Sequence, residues 1–129
     1  MIIEKRARST LTAVELDIGD ELHFALTSGE VRRIRICDTA ASVYRSNRDQ
    51  PGRKGPVIVE LKMTLVMEID GYQVVINRWV GSQKSFYEPW ELFGMRLWFD
   101  ASIRLFDHLQ ETHGACKPRK HVRLAVQDA

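Results

Sequence analysis

The sequence predicts an all-β protein: an antiparallel β-sandwich, jelly-roll-like, of seven or eight strands with one short helix near 101–112. Three observations lead there. Apolar residues alternate with period two through most of the chain, clearest in VIVELKMTLVMEI, where Val57, Val59, Leu61, Met63, Leu65, Met67 and Ile69 fall on one side. Turn dipeptides such as Ser28-Gly29 and Asp70-Gly71 separate these runs at hairpin spacing. Only DASIRLFDHLQETHG resists a strand reading, because Ile103, Phe106 and Leu109 recur at helical spacing.

Taken in order, residues 1–9 read as a flexible lead-in to a single domain spanning 1–129. AVELDI and ELHFAL alternate around Gly19-Asp20, which makes Val14, Leu16, Ile18, Leu22, Phe24 and Leu26 the inward candidates. Ser28-Gly29 turns the chain into VRRIRIC, with Ile34 and Ile36 on one face and Arg33 and Arg35 on the other. ASVYRS either continues that strand or forms another. NRDQPGRKGP holds two prolines, two glycines and no large apolar residue, so 46–56 is expected to be a mobile loop within the domain. The long strand 57–69 then returns through Asp70-Gly71 as 72–80, with Met63, Leu65 and Met67 in the core. GSQKSFYEPWE is a polar and aromatic connection to a strand over LFGMRLWFD. Asp100 or Ser102 is placed to cap the helix, Gly114 to end it, and VRLAVQ is the last strand.

At 129 residues the chain has the length of one ordinary domain, able to bury about two thirds of the surface its unfolded chain exposes. Its 44% apolar and 28% charged residues are those of a globular chain. No apolar run approaches the ~20 residues of a membrane helix. MIIEKRARST has basic residues but no hydrophobic stretch behind them, so it does not read as a signal peptide. Nineteen basic residues against 17 acidic give a net charge of +2, too even to steer the chain to nucleic acid or an anionic membrane. The basic residues are clumped as Lys5, Arg6 and Arg8, then Arg32, Arg33 and Arg35, then Lys117, Arg119, Lys120 and Arg123. Solvated faces are the commoner outcome of such runs, and an anion-binding patch is the alternative. Cys37 and Cys116 are expected as unpaired thiols, with one disulfide as the other arrangement.

The stretch HLQETHGACKPRKH gathers His108, His113, Cys116 and His121. Four nitrogen and sulfur ligands are what a zinc ion takes, but structural sites bring them in close pairs, a spacing not kept here. The stretch is therefore expected to be a cationic turn after the helix, Gly114 ending it and Pro118 preventing its restart. A metal site, and a Cys116–histidine pair acting as nucleophile and base, remain as alternatives. No H-E-x-x-H, G-x-S-x-G, Walker or G-x-G-x-x-G string occurs. A second concentration is aromatic: Trp79, Phe86, Tyr87, Trp90, Trp98 and Phe99 lie within 21 residues. They are either core and loop packing or a platform for a sugar ring or partner side chain. In the latter case the binding residues are Arg78, Trp79, Lys84, Phe86, Tyr87, Trp90, Arg96 and Trp98.

The run RWVGSQKSFYEPWELFGMRLWFDA, with ETHGACKPRKH and VRLAVQDA, resembles the β-rich domain that precedes the catalytic domain in bacterial M23-type (lysostaphin-like) zinc metallopeptidases. The likeness covers about the last half of the chain, and LTSGEVRRIRICDTAASVY agrees more weakly. It implies a secreted or envelope protein that acts with a peptidase on peptidoglycan cross-links. That family's catalytic domains hold zinc through His-x-x-x-Asp and His-x-His. Here the residues four beyond the histidines are Thr27, Thr112, Lys117 and Ala125, and no two histidines are separated by one residue. No catalytic residue carries over, so zinc would belong to a catalytic domain that follows and this chain would be accessory. The expected partners are therefore a neighbouring peptidase domain and a glycan or peptidoglycan ligand. The rivals are a free-standing carbohydrate- or anion-binding module, and a small metal- or thiol-dependent enzyme built on His108, His113, Cys116 and His121.

Overall fold

Period-two alternation organises the protein into two facing sheets, seen in a computed structural model that describes residues 1–47, 51–52, 55, 59–81, 88–107 and 117–128. The strands are β1 (Ile2–Arg6), β2 (Thr12–Leu16), β3 (Glu21–Ala25), β4 (Val31–Ser46), β5 (Val59–Ile69), β6 (Tyr72–Gly81), β7 (Trp90–Leu92), β8 (Met95–Ser102) and β9 (Val122–Asp128). One sheet has the order β1-β3-β4-β5-β6 and the other β2-β9-β8-β7. The fold is all-β, as the alternation predicts. Among the described residues all the strand pairs are antiparallel except β1 with β3. Those two run parallel because the chain crosses to the opposite sheet as β2 between them.

The two sheets bury one apolar cluster. Leu16, Leu22, Phe24, Ile34, Ile36, Met63, Leu65, Met67, Ile69, Met95, Leu97, Val122, Leu124 and Val126 have no exposed surface within it. The β5–β6 hairpin lies in the register expected from its sequence, with Leu65 opposite Ile76 and Met67 opposite Val74. Asp70 and Gly71 take positive φ values of 51° and 86° in the two-residue turn, a conformation whose twist matches that of the strands it joins.

Several elements differ from the sequence reading. Ile2–Arg6, expected in a flexible lead-in, pairs along its length with β3, and Ala7 N–H continues the ladder to the carbonyl of Ala25 at 2.7 Å. Ile18 is 39% exposed rather than inward, because the chain turns there: Asp20 N–H donates to the Asp17 carbonyl at 3.0 Å. ASVYRS continues β4, which stays in register with β5 by two irregularities, at Ile36/Asp38 and Val43/Arg45. Such bulges add a residue without reversing which face the following residues occupy relative to the partner strand. LFGMRLWFD is two strands, because Phe93 and Gly94 turn at φ values of 52° and 74°. Among the described residues of 101–112, Ala101 and Ser102 belong to β8 and Ile103–Asp107 form a 3₁₀ helix. Ser102 does serve its start, accepting from the N–H of Arg104 at 3.3 Å. The remainder, 108–112, lies outside the described residues, as does most of the expected loop 46–56.

Candidate functional site

Strand register places the predicted binding residues in different parts of the sandwich. Arg78 is opposite Met63 and therefore faces inward from β6. Its guanidinium spans to the other sheet, donating to the carbonyls of Phe99 at 3.0 Å and Asp100 at 2.9 Å. Trp90 pairs with Leu97 on the inner side of the edge strand β7, leaving it 44% exposed at the rim. Arg96 and Trp98 lie on the outer face of the four-stranded sheet, where Arg96 meets Glu91 at 3.1 Å and Trp98 is opposite Ala125. Trp79 lies on the outer face of the five-stranded sheet, 42% exposed. Lys84, Phe86 and Tyr87 lie outside the described residues, and so do His108, His113 and Cys116.

What the structure gathers around Trp79 comes from β4 and β5. Lys62 is its cross-strand partner, with the ammonium 5.9 Å from the indole centroid. This is within the range of a cation–π contact. Ser42 lies beyond Lys62, so one row across the sheet reads Ser42, Lys62, Trp79. The next row is Ala40, Thr64, Asn77, and the Thr64 hydroxyl donates to the Asn77 side-chain oxygen at 2.8 Å. The third is Asp38, Val66, Val75. Lys62 lies between the indole and β4, and beyond it Ala40 and Ser42 are small and exposed. The alternation that drives Leu61, Met63 and Leu65 into the core sets these residues outward. The row on the other side of Trp79 is Arg45, Glu60, Gly81, where Arg45 meets Glu60 at 3.0 Å, and toward the turn Arg35 meets Glu68 at 2.7 Å. Between these two ion pairs the surface offers one aromatic face, the Asn77 amide, hydroxyls, the Asp38 carboxylate and the Lys62 ammonium.

The outer face of the four-stranded sheet is different chemistry. Arg123 reaches Asp100 and also Glu15 at 3.7 Å, so one cation near Trp98 is shared between two carboxylates. At the corner before β3, the Asp20 carboxyl is held below the usual carboxylate range. The largest cause is the Asp17 N–H, which donates to it at 2.9 Å; burial opposes. The N-terminal ammonium at 3.3 Å and Lys120 at 3.6 Å favour the ionised form as well.

His121 is the member of the histidine–cysteine stretch that is described. Its Nδ1 accepts from Ile18 N–H at 3.2 Å and lies 2.8 Å from an Asp17 carboxylate oxygen. This pins the stretch after Pro118 to the β2–β3 corner, while Arg119 N–H donates to Glu15 at 3.2 Å. Among the described residues no three His, Cys, Asp or Glu side chains converge as a metal site. Cys37 is a free, half-buried thiol at the first irregularity of β4. No protein-family model, curated protein sequence or solved structure matches the chain.

Proposed function

We propose that this chain is a non-catalytic binding domain that engages a carbohydrate ligand through the outer face of β4, β5 and β6, centred on Trp79. One observation carries the reading: a half-exposed indole with Lys62 beside it and Asn77, Thr64 and Ser42 on the same face, between the Arg45–Glu60 and Arg35–Glu68 ion pairs. An indole face stacks on the C–H side of a sugar ring, and convergent amide, hydroxyl and ammonium groups fix the ring's orientation. The resemblance to the domain preceding M23-type catalytic domains supplies the setting. The ligand would then be the glycan strand of peptidoglycan, and the role would be to hold a zinc peptidase against its cross-links, with zinc held by that neighbouring domain.

The test is co-sedimentation with insoluble peptidoglycan. The wild-type chain is expected in the pellet, Trp98→Ala likewise, and Trp79→Ala in the supernatant. Equal pelleting of all three, or of none, would remove the assignment. In the same preparation the purified chain is expected to release no peptide, with or without added zinc. Zinc-dependent release would replace this reading with an enzymatic one.

A further inference from the structure

The edge strand β6 carries a second surface that does not depend on the carbohydrate reading. Ile69 and Tyr72 flank a two-residue turn, so they form a hydrogen-bonded pair, and such pairs recur at Val74, Ile76, Arg78 and Val80. The intervening residues Gln73, Val75, Asn77 and Trp79 direct their backbone N–H and C=O groups away from β5. Among the described residues no strand lies on that side of β6, and none of these four N–H groups has a partner.

Proteins blunt exposed edges with charge, proline or brevity. The other three edges follow that rule. β1 carries Glu4, Lys5 and Arg6 in five residues, β2 is five residues long with Glu15, and β7 is three residues long. β6 is ten residues long, without proline, and its one charged side chain, Arg78, is turned inward onto Phe99 and Asp100. Val75 is 53% exposed in the middle of it.

We infer that β6 is the contact strand of a two-fold homodimer, pairing antiparallel with β6 of a second copy. A two-fold axis at Ile76 sets Val75 opposite Asn77 of the other copy and Gln73 opposite Trp79. In that register all four outward residues fall in hydrogen-bonded pairs, so every free N–H and C=O of the edge is satisfied. No charged side chain faces its own copy on the outer side, so self-pairing meets no like-charge penalty there. A β6–β6 contact also closes, because the same strand serves both copies. Pairing β6 with β1 or β2 would leave a new edge open at each step. The two five-stranded sheets become one continuous sheet of ten strands.

Sedimentation equilibrium combined with amide hydrogen exchange tests this. The wild-type chain is expected at twice the chain mass, and Val75→Lys, which places two ammonium groups diagonally across the axis, at the chain mass with unchanged far-ultraviolet circular dichroism. The amides of Gln73, Val75, Asn77 and Trp79 are expected to exchange slowly in the wild type and to lose that protection in Val75→Lys. Those of Val74, Ile76, Arg78 and Val80 bond to β5 and stay protected in both. A wild-type chain that sediments as a monomer overturns the inference. So does a dimer whose four outward amides exchange freely, since its contact would lie elsewhere. Should Val75→Lys not fold, the wild-type exchange pattern alone decides.

Discussion

Trp79 and Trp98 occupy equivalent local positions, each on the outward side of a strand whose alternate residues enter the core, yet their surroundings differ. Trp98 is on β8, between β9 and β7. It is half-buried opposite Ala125, in a face where Arg123 pairs with Asp100 and Glu15 and Arg96 pairs with Glu91. Trp79 is on an edge strand, with Lys62 beside it, the Thr64–Asn77 pair in the row on one side and the Arg45–Glu60 ion pair in the row on the other. Both faces hold ion pairs, Arg45–Glu60 and Arg35–Glu68 lying on either side of the rows around Trp79. The difference is one of access: Trp79 is exposed on an edge strand and Trp98 half-buried on an inner one, which strand order sets rather than residue type.

The largest expected effect removes what the two faces share. Leu65 is wholly buried at the centre of β5, and Leu65→Ala should lower the unfolding free energy by about 2–5 kcal/mol, read from denaturant midpoints. Next is the difference between the faces themselves. Arg123→Ala leaves Asp100 and Glu15 without their shared, mostly buried cation, and should cost about 1–2 kcal/mol. Lys62→Ala on the other face should cost less than about 0.5 kcal/mol. Equal costs would show that the face around Trp79 is structural too. A smaller effect is pH-dependent and lies away from both faces. The Asp20 carboxyl is lowered in the folded protein, so its stabilisation is present above the ordinary carboxylate pKa of about 3.9 and is lost as pH falls through the folded value. The midpoint gap between wild type and Asp20→Asn should therefore be widest near neutral pH and close below about pH 4. A gap that widens with acid would contradict the sign.

The two hairpin turns show how much was legible in the sequence. Asp70-Gly71 could be recognised because aspartate tolerates a positive φ and glycine requires no side-chain room. Phe93-Gly94 adopts the same turn, but a bulky residue rarely takes φ of 52°. What holds it is tertiary: Arg32 Nε donates to the Phe93 carbonyl at 2.7 Å, and the Phe93 ring meets that of Tyr72 at 6.0 Å. The same arginine bonds Asp70 at 3.1 Å, so one side chain ties the two turns together. Nothing local in FG announces that. Residues 2–6 likewise have too few apolar positions to read as a strand and form one because β3 offers its free side.

The candidate site was legible only at its centre. Nearness in sequence grouped Trp79 with Trp90 and Trp98, but these residues belong to different faces or edges. The true neighbours Ser42, Ala40, Lys62 and Thr64 lie far earlier in the chain. Lys62 and Thr64 were visible as the wetter face of the long strand, and Asn77 alternates with Trp79 in YQVVINRWV. Joining them to Ser42 and Ala40 requires the register of β4, which one bulge shifts before it reaches them.

The most direct test of a ligand face centred on Trp79 is a titration of the protein with soluble peptidoglycan glycan fragments, followed by the three indole N–H resonances. The Trp79 resonance should shift and saturate while that of Trp98 stays in place, and Trp79→Ala should weaken binding by about tenfold or more. A saturating shift of Trp98 with Trp79 unmoved would place the ligand on the opposite sheet and contradict the account.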